Sequence, residues 1–163
     1  MTGLVIEATN VVKYLGSGAG RVAAVRGISL SLTGGQLALL MGPSGSGKTT
    51  LLSMLGCMLT PTSGTVRILG QVTAGLLPER LADLRRRHVG FIFQNYHLFP
   101  TLTAALDSAN GHAIMTLLAK IAKDPSRAVL IVTHDPRVLP FADRVVNIED
   151  GRLVDKSPQA KPE

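Results

Sequence analysis

Apolar and polar residues alternate along Leu4–Leu15, LVIEATNVVKYL, and this period of two predicts a strand with one buried face. The glycine-rich stretch Gly16–Arg21 follows and predicts a flexible connection. In GISLSLTGGQLALLMG the alternation resumes, breaks at Gly34-Gly35, and gives way to Leu37–Met41, a run without one polar side chain. A strand buried on both faces reads this way, which implies a parallel sheet covered by helices. Lys48–Leu59 and Pro78–His88 have helical patterns, Gly64–Gln71 is a short alternating strand, and Val89–Gln94 is a second buried one. Ile114, Leu117, Leu118 and Ile121 fall at i, i+3, i+4 and i+7, the core-facing stripe of a helix capped by Asp107 or Ser108 and stopped before Pro125. Ala128–Asp135 is a third buried strand, and Arg144–Asp155 predicts a hairpin through Asp150-Gly151. Strands alternating with helices make the chain α/β, with a mostly parallel sheet and a small antiparallel β-subdomain near the N-terminus.

Composition narrows this picture. At 163 residues and 45% hydrophobic the chain supports one core, here residues 1–155, with a polar tail at 156–163. Only 4% is aromatic and Trp is absent, so that core is built from Leu, Val, Ile and Ala. The single Cys57 excludes a disulfide framework and points to a reducing compartment. No apolar run approaches 18 residues, and no basic start precedes an apolar block, so neither a membrane span nor a signal peptide is expected. The net charge of +6 invites a polyanionic partner. The dense basic cluster Arg85-Arg86-Arg87-His88 has no aromatic residues interleaved to stack bases, which argues against nucleic acid. His88, His97 and His112 show no ligand spacing with Cys57, so no transition-metal site is expected.

The chemistry lies in GPSGSGKTT: Gly42, Pro43, Ser44, Gly45, Ser46, Gly47, Lys48, Thr49 and Thr50. This is G-x-x-x-x-G-K-[ST] between a buried strand and a helix, the context a phosphate-binding loop requires. Glycines at 42, 45 and 47 let backbone N–H groups converge on a phosphate at the positive end of a helix. Lys48 then reaches the β- and γ-phosphates, and the Thr49 hydroxyl takes a place on Mg²⁺. Hydrolysis needs more: an acid to hold Mg²⁺ through water and a group to activate the attacking water. Neither VLIVTHD, which ends in Thr-His before Asp135, nor VVNIED, interrupted by Asn147, supplies the four apolar residues followed by Asp that carry such groups.

Together the motifs resemble the ATP-binding subunits of ABC transporters. Gly42–Thr50 is similar to the Walker A loop, GFIFQ with Gln94 to the Q-loop, VLIVTHD with His134 to the switch-histidine loop, and Ala105–Asp107 to the D-loop. The resemblance covers about Leu4 to Asp155, and LRRRHVGFIFQNYHLFPTLT is similar to the subgroup serving lipoprotein release and macrolide export. It implies a P-loop NTPase core that binds ATP and Mg²⁺. Gln94 would join Thr49 at the metal, His134 would stand at the γ-phosphate, and Tyr14 would stack on adenine. Hydrolysis in the family drives transport through two sites in a head-to-tail dimer. The implied partners are therefore a second ATP-binding subunit and transmembrane permease subunits, with the protein cytoplasmic and peripheral to the inner face of the membrane.

One departure alters that expectation. Gln94 and Asp107 are 13 positions apart, where the family holds a helical subdomain, the LSGGQ signature, and the Walker B strand with its catalytic Glu. The seam falls at about 101–107. LTGGQ, Leu32–Gln36, imitates the signature but lies between two predicted strands and is expected to be a turn. The join itself is feasible, because 13 residues reach about 43 Å when extended. Loss of the Walker B strand would leave a gap of about 9.5 Å in the sheet, two strand spacings, with poor stability unless Val89–Gln94 slides across. The expectation is an ABC-type ATP-binding domain impaired in hydrolysis. The alternatives are an inert or interfering truncated product, or a different P-loop NTPase or kinase using Arg85–Arg87 as its lid.

Overall fold

A computed structural model describes residues 3–88, 109–133 and 135–154. In the first of two four-stranded sheets, β1 (Leu4–Leu15) lies between β2 (Val22–Thr33) and β4 (Ser63–Ile68), with β5 (Gln71–Val72) beyond β4, all antiparallel. In the second, the order is β6 (Ala128–Val132), β3 (Gln36–Met41), β7 (Arg144–Glu149), β8 (Arg152–Val154). β3 is parallel to both neighbours, and β8 folds back antiparallel on β7. Among the described residues three helices accompany them: α1 (Lys48–Leu55), α2 (Pro78–His88) and α3 (Ala109–Ala122).

The uninterrupted apolar run of β3 is explained by what covers it. Leu37 and Leu39 point into one cluster with Met115 and Ala122 of α3, Ile131 and Val138. Leu40 points the other way, among Leu51, Leu52, Met54 and Leu55 of α1 and the apolar face of the antiparallel sheet, including Val25, Ile28 and Val66. Both faces are therefore dry. At about 1.5–3 kcal/mol for each fully buried Leu, β3 is the main anchor of the loop that follows it.

Several boundaries differ from those read off the sequence. The helix starting at Lys48 ends at Leu55 rather than Leu59, because Cys57 takes a left-handed conformation (φ 59°) and Arg85 of α2 pins its carbonyl at 2.7 Å. The strand expected over Gly64–Gln71 is a hairpin, split by a turn with positive φ at Leu69 and Gly70. The third buried strand stops at Val132 rather than Asp135. Gly16–Arg21 is not a loose linker: Gly18–Gly20 form a 3-10 turn, with Gly20 N–H donating to Ser17 and Arg21 N–H to Gly18. The core face of α3 is rotated from the expected one. Met115, Leu118, Ala119 and Ala122 pack inward, while Leu117 and Ile121 are exposed. Pro78–His88 and the hairpin through Asp150-Gly151 stand as expected.

The imitation signature is a turn, as its position implied. A Cβ on Gly34 would stand 1.7 Å from the Pro125 carbonyl oxygen, so the connection between α3 and β6 leaves room only for glycine. The amides of this turn are already used: Gly34 N–H donates to Gly3, and Gly35 N–H to Arg127 at 2.8 Å. Neither amide is available to a phosphate. The strand expected over Val89–Gln94, the seam at 101–107, Asp107, Ser108, His97, His134 and the tail at 156–163 lie outside the described residues. Among those described, β6 pairs with β3 alone.

Candidate functional site

The site is the passage from β3 into α1. Met41 ends a strand held on both sides, so the loop at residues 42–47 leaves from a fixed point. Two of its three glycines, Gly42 and Gly47, are required by close approach. A Cβ on Gly42 would lie 2.1 Å from the Ile148 carbonyl oxygen, and one on Gly47 (φ 100°) would lie 2.3 Å from that of Ala24. Two neighbouring strands, β7 and β2, thus grip the loop at its two ends. Between them Ser46 is buried, and its carbonyl accepts from Gly151 N–H at 2.9 Å. The Asp150-Gly151 hairpin is part of the same support. Gly47 caps α1 and accepts its first helical hydrogen bond, from Leu51 N–H at 2.8 Å. The amides of the first helical turn have no intrahelical acceptor and form a positive end suited to an anion.

Lys48 folds back over this loop. Its Nζ donates to the Gly42 carbonyl at 2.7 Å, the Pro43 carbonyl at 2.5 Å and Ser46 Oγ at 3.3 Å. Burial pushes the ammonium below its ordinary pKa of 10.5, and no carboxylate contributes to that shift. A phosphate at the loop would supply the negative charge that the carbonyl oxygens only approximate. Thr49 is exposed on the first turn of α1, and its carbonyl accepts from Ser53 Oγ at 2.8 Å. The donor set fits a nucleotide triphosphate: backbone N–H groups, one ammonium, and a loop whose glycines at 42 and 47 let it seat against β7 and β2. It also fits Mg²⁺ carried by the phosphates, since that ion commonly takes only one or two protein ligands. Among the described residues, no group of three His, Cys, Asp or Glu side chains could hold a metal independently.

Tyr14 lies near the end of β1, 41% exposed and paired in register with Ala23 of β2. Ala23 adjoins Ala24, whose carbonyl abuts Gly47, so Tyr14 stands on the strand pair that borders the loop. Its ring carries the Arg21 guanidinium 4.1 Å from the centroid. Arg21 was not legible as a site residue, because it belongs to no motif and only the 3-10 turn brings it back over Tyr14. The structure thus brings Tyr14 and Gly42–Thr50 to one region. Gln94, Asp107 and His134 lie outside the described residues. Beyond His134, Asp135 caps the 3-10 segment Pro136–Phe141 by accepting from Arg137 N–H at 2.9 Å. Phe141 of that segment meets His112 of α3 edge-on, with centroids 5.0 Å apart.

Comparison with known proteins gives the same region of sequence and the same architecture. Residues 25–152 match the ABC transporter family. The macrolide export ATP-binding/permease protein MacB of Salmonella choleraesuis is 32% identical over 228 aligned positions, covering 97% of this chain and 35% of that protein. Its counterpart in Escherichia coli K12 is 31% identical, over 94% of this chain and 34% of that one. The chain therefore spans about a third of the length of these curated relatives. Since 97% of 163 residues fill about 158 of the 228 positions, about 70 positions of the alignment have no residue here. Among solved structures, the dimeric post-hydrolysis state of the ATP-binding cassette MJ0796 bound to ADP and Pi superposes with a TM-score of 0.82 at 25% identity, covering 92% of this chain and 97% of that one. cbiO1 of Clostridium perfringens, part of an ABC transporter complex, shares the fold at a TM-score of 0.67 and 15% identity, over 93% of this chain and 87% of that one.

Proposed function

The chain belongs to the ABC transporter family, and from that premise we propose that it binds MgATP through Gly42–Thr50 but turns it over poorly. The observation that carries the binding half is the loop itself, pinned at Gly42 and Gly47 between two strands with Lys48 folded over it. The amides of the first turn of α1 bind the phosphates, and Lys48 exchanges its three loop acceptors for phosphate oxygens. Thr49, with Gln94, would hold the Mg²⁺. When bound, that ion neutralises phosphate charge. Tyr14 offers an exposed ring to the base.

The other half rests on what the sequence omits. Only 13 positions separate Gln94 from Asp107, and about 70 aligned positions of a MacB relative face no residue here. No apolar strand ends in the acid pair that would place Mg²⁺ and activate water, and the LTGGQ amides at Gly34 and Gly35 are used within the chain. His134 then has no general base to work with. Loss of a general base alone lowers rates by about 10²–10⁴. The relatives are named as joint ATP-binding and permease proteins. By analogy the intact form would pair with a second ATP-binding subunit beneath a permease at the cytoplasmic face of a membrane, in an export system. Docking here should be weakened with the missing segment. An inert fragment is the competing reading.

Equilibrium dialysis with labelled MgATP separates these readings. Saturable binding is expected, with AMP competing at least about 100-fold less well, since it lacks the phosphates that Lys48 contacts. Absence of saturable binding would leave only the inert fragment, and equal competition by AMP would contradict binding through the phosphates that Lys48 faces.

A further inference from the structure

We propose that Arg21 is a positioning residue of the nucleotide site, holding the Tyr14 ring from one face so that the other receives a purine base. The inference rests on the MgATP reading above and extends it to a residue outside every motif. Tyr14 is an exposed aromatic side chain, and its strand neighbours reach the phosphate loop through Ala24 and Gly47. Arg21 covers that ring at 4.1 Å. Among the described residues no carboxylate forms a salt bridge with it, so its charge is not committed to another side chain.

The turn that delivers Arg21 is built for the purpose. Gly16 has φ +81°, and a Cβ there would stand 2.7 Å from the Gly20 carbonyl, so the chain doubles back tightly. Arg21 N–H closes the turn on Gly18. An aromatic ring with a planar cation fixed on one face has lost the freedom to tilt, and its remaining face is presented as a rigid platform. A base stacks on such a face with little sequence demand.

Isothermal titration of the full chain with MgATP and with inorganic tripolyphosphate, which has no base, tests the proposal. Arg21→Ala should weaken MgATP by about three- to tenfold and leave tripolyphosphate unchanged. Arg21→Lys, which keeps the charge but not the planar fork, should fall between. In a Tyr14→Ala background, Arg21→Ala should add little further loss, because the two act as one unit. Unchanged MgATP binding, an equal loss for both probes, or fully additive losses in the double variant would each overturn it. A wild-type chain that binds neither probe would instead sink the phosphate-site reading, and this proposal with it.

Discussion

MgATP should raise the melting temperature of this chain by about 5–10 °C, and Lys48→Ala should remove at least about two-thirds of that shift. Ligand at 100 times its dissociation constant stabilises a folded protein by about 2.7 kcal/mol, and in chains of this size each kcal/mol moves the midpoint by about 2–4 °C. Removing one partner of a desolvated, hydrogen-bonded charge pair lowers affinity by about 2–5 kcal/mol, at least about 30-fold. At the same MgATP concentration the variant then keeps at most about 0.9 kcal/mol of stabilisation, or about 2–3.5 °C. The absolute midpoint is a poor readout, because Lys48 also ties Gly42, Pro43 and Ser46 together without nucleotide. The informative quantity is the difference that MgATP makes in each protein. An equal shift in both would place the bound nucleotide elsewhere.

The second large effect concerns the missing segment. Inserting the corresponding block of a MacB relative between Phe99 and Ala105 should raise MgATP hydrolysis by about 10² or more. The loop proposed to bind phosphate is in place, and its supports at Ile148, Ala24 and Gly151 are in contact with it. The block would return the acid that activates water, and a signature segment whose amides are not consumed as those of Gly34 and Gly35 are. It would also return a strand beside β6, which among the described residues pairs with β3 alone. A graft that folds, binds MgATP and gains no turnover would mean that the deficit lies elsewhere.

The strand-to-helix passage at Gly42–Gly47 was legible because glycine spacing, a dry strand and a helix start all coincide within Leu37–Leu51. The strand patterns of Leu4–Leu15 and Gln36–Met41 were legible for a simpler reason: alternation, or its absence, reports directly on how many faces are buried. Other features depend on contacts distant in sequence. The helix from Lys48 stops at Leu55 because Arg85 reaches back to Cys57, although Met58 and Leu59 continue the apolar pattern. In α3 two overlapping stripes compete, and the bulkier one was the wrong choice. The sheet meets Met115, Leu118, Ala119 and Ala122, where small side chains let the helix lie close, and Leu117 and Ile121 turn outward. Arg21 was hidden for the same reason, since a turn rather than a motif puts it over Tyr14.

The central claim is that nucleotide binding survives where turnover does not. Phosphate release measured at saturating MgATP, in samples whose binding has been verified by dialysis, tests it most directly. The expected rate is at least about 10²-fold below that of an intact ABC ATPase. A rate close to that of intact relatives, abolished by Lys48→Ala, would contradict the account.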